Sequence, residues 1–318
     1  MITIEHVYIL TGLMLVAFAV LSAGDRSNPK RFGNAAFWGV LAAAFLFGSW
    51  LSDFWNGILA LALIGIGGFN LMHKGAAVAI TPEARTASAQ TRGNLLFLPA
   101  LIVPAVALAG TLLLKSSGFV DPKQVTIISL SLGVVMALAV CYAWLKPPPL
   151  APIEEGRRLL DTIGWAAVLP QMLASLGALF ALAHVGDAVG HLATAYLPLG
   201  SPIAAVVGYC LGMAVFTLAM GNAFAAFPVM TAAIGLPLIV QRFGGDPIAM
   251  SAIGMLAGFC GTLMTPMAAN FNVVPANLLE LPDRNSALNG VIRAQIPTAL
   301  PLLAANIVLM RLLAFHGS

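Results

Sequence analysis

The stretch that decides the fold is Met220-Gly221-Asn222-Ala223-Phe224-Ala225-Ala226-Phe227-Pro228, a polar break in the apolar region 209–240. The next apolar segment carries a second break, Thr265-Pro266-Met267-Ala268-Ala269-Asn270-Phe271-Asn272-Val273-Val274-Pro275-Ala276-Asn277. Lipid cannot satisfy the backbone groups that Asn, Gly and Pro leave free, so such breaks persist only inside protein or beside a water-filled cavity. The two breaks therefore predict an internal polar site at membrane depth.

The composition is that of a membrane protein. Of the 318 residues, 60% are hydrophobic and only 8% are charged, whereas soluble domains carry about 25% charged residues. The mean hydropathy is +0.95, and no polar stretch is long enough to form a soluble domain. We therefore expect a single membrane domain, residues 1–318, in a lipid bilayer. The formal net charge of +3 is too small to indicate nucleic acid as a partner.

The motifs of common enzymes are missing from the sequence. There is no Walker-type Gly-x-x-x-x-Gly-Lys-Ser/Thr, no His-Glu-x-x-His and no Gly-x-Ser-x-Gly. Cys141, Cys210 and Cys260 lie in separate apolar segments without Cys-x-x-Cys spacing, so we interpret them as packing residues. We expect a protein that is not an enzyme and that has no cofactor.

Apolar runs of about 20 residues can cross a bilayer. Before His191 the sequence predicts six of them, at 6–23, 33–51, 54–72, 94–114, 124–145 and 160–185. Together with the later segments, this predicts an all-α polytopic membrane protein with about eight to ten transmembrane helices.

Basic residues mark three of the connecting loops, those after the first, third and fifth predicted spans. These residues are Arg26, Lys30, Arg31, Lys74, Arg85, Arg92, Lys146, Arg157 and Arg158. Because positively charged loops stay in the cytoplasm, we predict a multi-pass membrane protein with its N-terminus outside.

A Pro-rich connection divides the chain into two groups of helices. We expect Lys146-Pro147-Pro148-Pro149-Leu150-Ala151-Pro152 to be non-helical, because each Pro removes a hydrogen-bond donor and restricts the residue before it. The prediction is a first helix group at 1–145, a Pro-rich cytoplasmic linker at 146–158, and a second helix group at 159–318 that contains both breaks.

The segment 202–240 has two interpretations. It is too long for one span, so it forms either two spans or a re-entrant hairpin with the Gly221-Asn222 break at its tip. Loop charge does not separate the two, because both leave the rest of the chain with the same orientation. We expect a re-entrant hairpin, followed in 247–279 by a helix broken between Thr265 and Asn277.

Helix breaks of this kind supply two sorts of ligand. The half-helix that begins at a break presents free N–H groups suited to a carboxylate, and the half-helix that ends there presents carbonyls suited to a cation. Gly allows unusual backbone angles, and Asn both donates and accepts hydrogen bonds. We predict a site for a small anionic substrate formed by Gly221, Asn222, Ala223, Thr265, Pro266, Asn270 and Asn272.

Two other features have competing interpretations. His184, Asp187 and His191 recur at helical spacing and could form a metal or proton site, but a solvated helix end is the simpler interpretation and the one that we favour. Gly93-Asn94, followed by Pro99, echoes Gly221-Asn222, although Arg92 beside it fits an ordinary helix start equally well. The sequence does not identify any metal.

The breaks resemble those of the ion transporter superfamily, in which a Ser-Asn-Thr hairpin tip and a Thr-Pro-rich unwound helix form the substrate site. Gly221-Asn222-Ala223 occupies the position of the tip without its two hydroxyls, and Thr265-Pro266 with Asn270 matches the second element. The whole chain resembles a bacterial membrane family assigned as one subunit of a two-subunit 5-oxoproline (pyroglutamate) transporter.

The resemblance implies a subunit of a secondary transporter for a small carboxylate, located in the bacterial inner (plasma) membrane. The expected substrate is 5-oxoproline, and the expected coupling ion is Na⁺ or H⁺. Such carriers are built from two repeats, each with a hairpin and a broken helix. Since this chain has one convincing pair, we expect a second, related membrane subunit as its partner. The alternatives are a non-transporting scaffold subunit and a channel, of which the channel is disfavoured because the breaks supply no charged ring.

Overall fold

The computed structural model describes residues 1–75, 81–115, 117–279 and 286–315, and the regular elements of this part are all helical. The helices are α1 Ile4–Gly24, α2 Arg31–Phe47, α3 Asp53–Gly68, α4 Pro82–Arg92, α5 Leu98–Leu114, α6 Val125–Leu145, α7 Ala151–Ile163, α8 Leu169–Leu182, α9 Val185–Tyr196, α10 Pro202–Met220, α11 Ala223–Met230, α12 Pro247–Leu263, α13 Val274–Leu278 and α14 Ala287–Leu313. Short 3₁₀ segments, Gly93–Phe97 and Gly164–Val168, precede α5 and α8, and π-helical segments, Thr231–Arg242 and Ala269–Val273, follow α11 and precede α13.

Several helices are long and apolar enough to cross a membrane. Six helical segments in the described part meet that criterion, and the bent pair α8 and α9 would make a seventh. Three further apolar helices, α2, α3 and α12, are shorter. The chain is thus a multi-pass helical membrane protein by length and composition, whereas the count of eight to ten spans and the orientation of the N-terminus stay predictions.

The chain divides into two compact units, Met1–Trp165 and Ala166–Ser318. In the first unit α1 packs along α2, and α5 packs along α6. The division falls after α7, so the helix that follows the Pro-rich connection belongs to the first unit. The irregular part of that connection is also shorter than expected, because α7 already begins at Ala151 with Pro152 in its first turn, where its missing N–H costs no helical hydrogen bond.

The predicted span 160–185 was wrong as a single helix. Its beginning belongs to α7, a polar helix that ends at Ile163, and Gly164 then turns the chain into a 3₁₀ segment before α8. At its far end His184 adopts a left-handed conformation with φ 53° between α8 and α9, where the chain bends by 71°. Apolar composition alone could not reveal these two backbone turns.

Gly93 and Gly164 end two polar helices in the same way. The residue after α4 is Gly93 with φ 52° and ψ −135°, and the residue after α7 is Gly164 with φ 61° and ψ −140°. The pattern Thr-x-Gly-x-x-x-x-Leu-Pro occurs at both places, in residues 91–99 and 162–170. Gly93 therefore corresponds to Gly164 and not to Gly221, whose φ 76° and ψ 0° differ in ψ.

The second unit is built around a helical hairpin. One arm is α10, and the other is α11 continued by the π-helical segment Thr231–Arg242. The hydroxyls of Tyr209 and Thr231 join the arms at 3.0 Å, and α12 and α14 pack against the first arm. The helices α8 and α9 approach the second arm closely, since Gly177 and Gly190 face the backbone of Phe224 and Ala233.

The arms of this hairpin have the length and composition of membrane spans. Its arms, Pro202–Met220 and Ala223–Arg242, are each long and apolar enough to span a membrane. Both the two-span and the re-entrant interpretation therefore stand, and the re-entrant hairpin stays a prediction. The broken helix is present: α12 ends at Leu263, residues 264–268 form no regular helix, and π-helical turns resume at Ala269. The side chain of Asn277 lies outside the described part.

Candidate functional site

The tip of the hairpin consists of two residues with distinct roles. Gly221 ends α10 in the left-handed region, with φ 76°, and its N–H donates to the carbonyl of Thr217. Asn222 is the N-cap of α11, where its Oδ1 accepts a hydrogen bond of 2.7 Å from the N–H of Phe224. An N-cap of this kind satisfies one of the free N–H groups of the first turn, and the amide NH₂ group of Asn222 has no partner among the described residues.

The break after α12 is stabilised from within. The Oγ1 of Thr265 accepts a hydrogen bond of 3.2 Å from the N–H of Met267, which holds the irregular turn. The side chain of Asn272 is fully buried, and its Nδ2 donates to the carbonyls of Thr262 at 2.8 Å and Thr265 at 2.6 Å. Carbonyls at the end of a helix lack intrahelical partners, and the carbonyl of Thr265 has one further donor, the N–H of Ala268 at 3.4 Å. Asn272 thus ties the resumed helix to the end of α12.

The two breaks meet. A β-carbon placed on Gly221 would lie 2.6 Å from the carbonyl oxygen and 2.6 Å from the β-carbon of Met267. The tip of the hairpin is therefore in direct contact with the broken part of 247–279. The two polar breaks are therefore neighbours within the second unit, and a substrate site between them stays a prediction.

A small pocket opens where the breaks meet. Its lining comes from α8, the hairpin tip, the end of α12 and the resumed π-helical turns, and it consists of Leu169, Leu173, Gly221, Asn222, Ala223, Phe224, Phe259, Thr262, Ala268, Ala269, Asn270 and Phe271. All of these residues are uncharged. The polar groups that face the pocket are amides, a hydroxyl and the backbone at the start of α11.

The predicted site residues fall into two groups. Gly221, Asn222, Ala223 and Asn270 line the pocket. Thr265 and Asn272 are buried and serve the break through the hydrogen bonds described above, and Pro266 is exposed beside them. Asn270 is exposed and has no hydrogen-bond partner among the described residues, so of the two Asn in this turn it is the one available to a ligand.

Three aromatic rings that the sequence did not single out form one wall of the pocket. The ring centroids of Phe224 and Phe259 are 6.0 Å apart in an edge-to-face arrangement, and those of Phe259 and Phe271 are 5.8 Å apart. These separations are typical of interacting aromatic side chains. Phe224 and Phe271 are direct neighbours of predicted residues, which is the one local signal that could have drawn attention to them.

The histidines near α9 do not converge on a metal site. The Nδ1 of His184 lies 3.0 Å from Oδ2 of Asp187, and both side chains are largely exposed. In the part of the chain that the structure describes, no group of three or more His, Cys, Asp or Glu side chains is placed to hold a metal ion. The solvated helix end stays the interpretation of these residues.

Comparison with known proteins identifies the family. No curated protein and no solved structure matches the chain. The family model described as "Protein of unknown function (DUF979)" matches residues 5–315. Because this match covers nearly the whole sequence, the chain belongs to the DUF979 family of proteins of unknown function.

Proposed function

We propose that the chain is a subunit of a secondary transporter that carries a small carboxylate, with 5-oxoproline as the leading candidate. The observation that carries the proposal is the meeting of the Gly221-Asn222 tip with the break after α12 around a neutral pocket. Midplane sites between discontinuous helices are the usual substrate sites of secondary transporters, and transport follows from their alternating exposure to the two sides of the membrane.

The polar side of the pocket suits a carboxylate. The start of α11 presents backbone N–H groups and the positive end of a helix dipole, which favour a negative charge. Because Oδ1 of Asn222 is already occupied by the N–H of Phe224, its NH₂ group is the part left to donate to a ligand. The exposed amide of Asn270 adds a second donor and acceptor on the opposite break.

The apolar side of the pocket suits a compact ring. Phe224, Phe259 and Phe271 form an aromatic wall beside the two Asn side chains. A ligand such as 5-oxoproline has ring methylenes for that wall, a lactam N–H and C=O that pair with side-chain amides, and a carboxylate for the start of α11. The same arrangement would accept other small cyclic or apolar carboxylates.

The pocket has no positively charged side chain, which bears on the ion that would move together with the substrate. The residues that line the pocket include no Lys or Arg, so nothing there neutralises a bound carboxylate with a full charge. A cation that moves together with the substrate, Na⁺ or H⁺, would supply the balance. The proposed partner is a second, related membrane subunit that contributes the other hairpin and broken helix of a two-repeat carrier.

The proposal is tested by uptake of labelled 5-oxoproline into proteoliposomes that contain the chain and its partner, with sodium and proton gradients imposed separately. We expect uptake driven by one of the gradients. Asn222→Ala and Asn270→Ala should abolish it while the protein stays folded, whereas Asn289→Ala, an exposed Asn on α14, should leave it unchanged. Wild-type uptake in both pocket variants would refute the proposed site.

The scaffold alternative predicts a different result. A scaffold subunit would leave substrate binding to the partner, so the isolated chain would show no saturable binding of labelled 5-oxoproline, and substrate analogues would cross-link only to the partner. Cross-links to Phe224 or Phe271 of this chain would support a direct role in transport. Full uptake by the purified chain alone would instead contradict the need for a second subunit.

A further inference from the structure

The first unit contains a buried cluster of charged side chains that the pocket does not involve. The Nη1 of Arg157, on α7, lies 2.9 Å from Oδ2 of Asp25, in the corner between α1 and α2. The same Nη1 lies 3.3 Å from Oδ2 of Asp161, one turn further along α7. At most 8% of each of these three side chains is exposed. The cluster joins α7 to the corner that connects α1 with α2.

The two carboxyl groups have different surroundings. The Oδ1 of Asp25 accepts hydrogen bonds from the N–H of Ser27 at 3.0 Å and from its hydroxyl at 2.6 Å, in addition to the contact with Arg157. Asp161 is more deeply buried, with 2% of its side chain exposed, and its Oδ1 accepts a hydrogen bond of 2.7 Å from Nε1 of the fully buried Trp38. Its contact with the guanidinium is the longer of the two.

The charge of the cluster is unbalanced. If both carboxyl groups are ionised, two negative charges share one guanidinium, and a buried site carries a net charge of −1. An uncompensated buried charge is costly, and a carboxyl group in that position binds a proton to avoid it. Each carboxyl group has three donors, but Asp25 is the less buried of the two and has the closer guanidinium contact, 2.9 Å against 3.3 Å. The other donors of Asp161 are the neutral side chains of Trp38 and Asn34.

We infer that Asp161 is a proton-binding site, where a proton adds to Oδ2 from water and the cluster changes from a net charge of −1 to zero. Arg157 then pairs with Asp25 alone. The charged groups that face Asp161 are Arg157 on its own helix and Asp25 in the α1–α2 corner, while α2 contributes the neutral Trp38 and Asn34. Burial raises the pKa of the Asp161 carboxyl, and hydrogen bonds from Trp38, Asn34 and Arg157 oppose that effect only in part.

The pKa of Asp25 moves the opposite way. Burial acts to raise it, but the hydrogen bonds from Ser27 and Arg157 outweigh burial and lower the pKa below its ordinary value of 3.8. The two pKa values therefore move apart, and the proton that is bound at the higher pH belongs to Asp161. This inference concerns the first unit and does not depend on what the pocket of the second unit binds.

Infrared difference spectroscopy of the purified full-length protein tests the inference, because the C=O stretch of a protonated carboxyl group is absent from the ionised form. We expect a carboxyl band in the wild type that persists to a higher pH than the bands of ordinary Asp and Glu side chains, and that disappears on further alkalinisation. Asp161→Asn should remove the band, and Asp187→Asn, an exposed control on α9, should leave it in place.

A second variant covers the case in which Asp161→Asn does not fold. Asp161→Glu keeps a carboxyl group at the position but moves it by one methylene, so the band should persist with a changed frequency or titration midpoint. A wild-type protein whose carboxyl bands all disappear together with those of ordinary Asp and Glu side chains would overturn the assignment. A band that is identical in the wild type, Asp161→Asn and Asp161→Glu would overturn it as well.

Discussion

The carbonyl oxygen of Met267 lies 2.6 Å from the point that a β-carbon on Gly221 would occupy. Gly221 also has φ 76°, in the left-handed region that residues with a side chain rarely adopt. Two independent constraints, one from the backbone and one from packing, therefore select Gly at the tip of the hairpin. The contact also explains how the two polar breaks, more than 40 residues apart in the sequence, come to share one pocket.

The first prediction concerns this contact. Gly221→Ala should destabilise the protein by about 1–2 kcal/mol through the left-handed backbone alone, and by more if Met267 cannot move. Displacement of Met267 should also widen the pocket and abolish uptake of the labelled carboxylate. Thermal unfolding in detergent and uptake in proteoliposomes measure the two effects.

Gly290→Ala is the matched control for that experiment. Gly290 lies within α14 in the same unit, and a β-carbon there would meet no atom within 4 Å. Ala is the better helix former, so this variant should be as stable as the wild type or slightly more stable. Equal unfolding temperatures for the Gly221 variant and the wild type would contradict the close contact.

The second prediction separates the two roles of Asn222. Asn222→Ala removes both the N-cap of α11 and the amide NH₂ group, and should cost about 1 kcal/mol of stability through the lost cap. Asn222→Ser keeps an oxygen that can accept from the N–H of Phe224 but removes the NH₂ group. We expect Asn222→Ser to retain wild-type stability and to lose uptake. If Asn222→Ser transports normally and only Asn222→Ala fails, the side chain acts as a cap and not as a ligand.

The third prediction compares two Asn residues in the same turn. Asn272→Ala removes the side-chain donor of the Thr262 and Thr265 carbonyls and leaves the latter only the N–H of Ala268 at 3.4 Å. The variant should cost about 1–3 kcal/mol. Asn270→Ala removes an exposed side chain without a protein partner, so its stability should stay within about 0.5 kcal/mol of the wild type. The thermal unfolding midpoint of Asn272→Ala should therefore be well below that of Asn270→Ala. Of the two residues, only Asn270 faces the pocket. The reverse order would mean that the two roles are exchanged.

The sequence predicted the breaks better than the site they form. Gly221, Asn222 and Thr265 alter the chain locally, through backbone angle, capping and a side-chain hydrogen bond to the backbone, and such effects can be recognised from residue type. Phe224, Phe259 and Phe271 come together only when three segments pack, and Phe is too common in apolar segments to indicate a wall of a pocket. The same limit explains why Asn270 and Asn272 could not be told apart: their roles depend on which way the turn faces.

Apolar length was a poor guide to the ends of helices. The run 160–185 satisfies a span criterion, but the positive φ angles at Gly164 and His184 divide it. A Gly can occupy many backbone regions, and His seldom adopts positive φ, so neither turn could be derived from residue type. For the same reason the sequence placed Asp161 at the beginning of a membrane span, whereas it lies on α7, outside the candidate spans, beside Arg157 and Asp25.

The last prediction concerns stability as a function of pH. Because burial raises the pKa of Asp161 in the folded protein, the folded state binds more protons than the unfolded chain between pH 3.8 and that raised pKa. Stability from this group should therefore fall as the pH rises through that window. The lowered pKa of Asp25 acts in the opposite sense, since its contribution is present above 3.8 and is lost as the pH falls toward the lowered value.

Unfolding midpoints measured from acidic to neutral pH distinguish the two carboxyl groups. Asp161→Asn should flatten the decrease of the midpoint above pH 3.8 and retain the loss below it. Asp25→Asn should remove the loss below pH 3.8 and also weaken the decrease above it, because Arg157 then pairs with Asp161 alone. Asp187→Asn should follow the wild type at every pH, because that side chain is largely exposed. A wild-type slope above pH 3.8 that survives in Asp161→Asn would assign the proton to another group. Two results together would make Asp161 the first residue to test as the group that couples transport to protons. One is carboxylate uptake that depends on a proton gradient, and the other is a decrease of the unfolding midpoint with pH that disappears in Asp161→Asn.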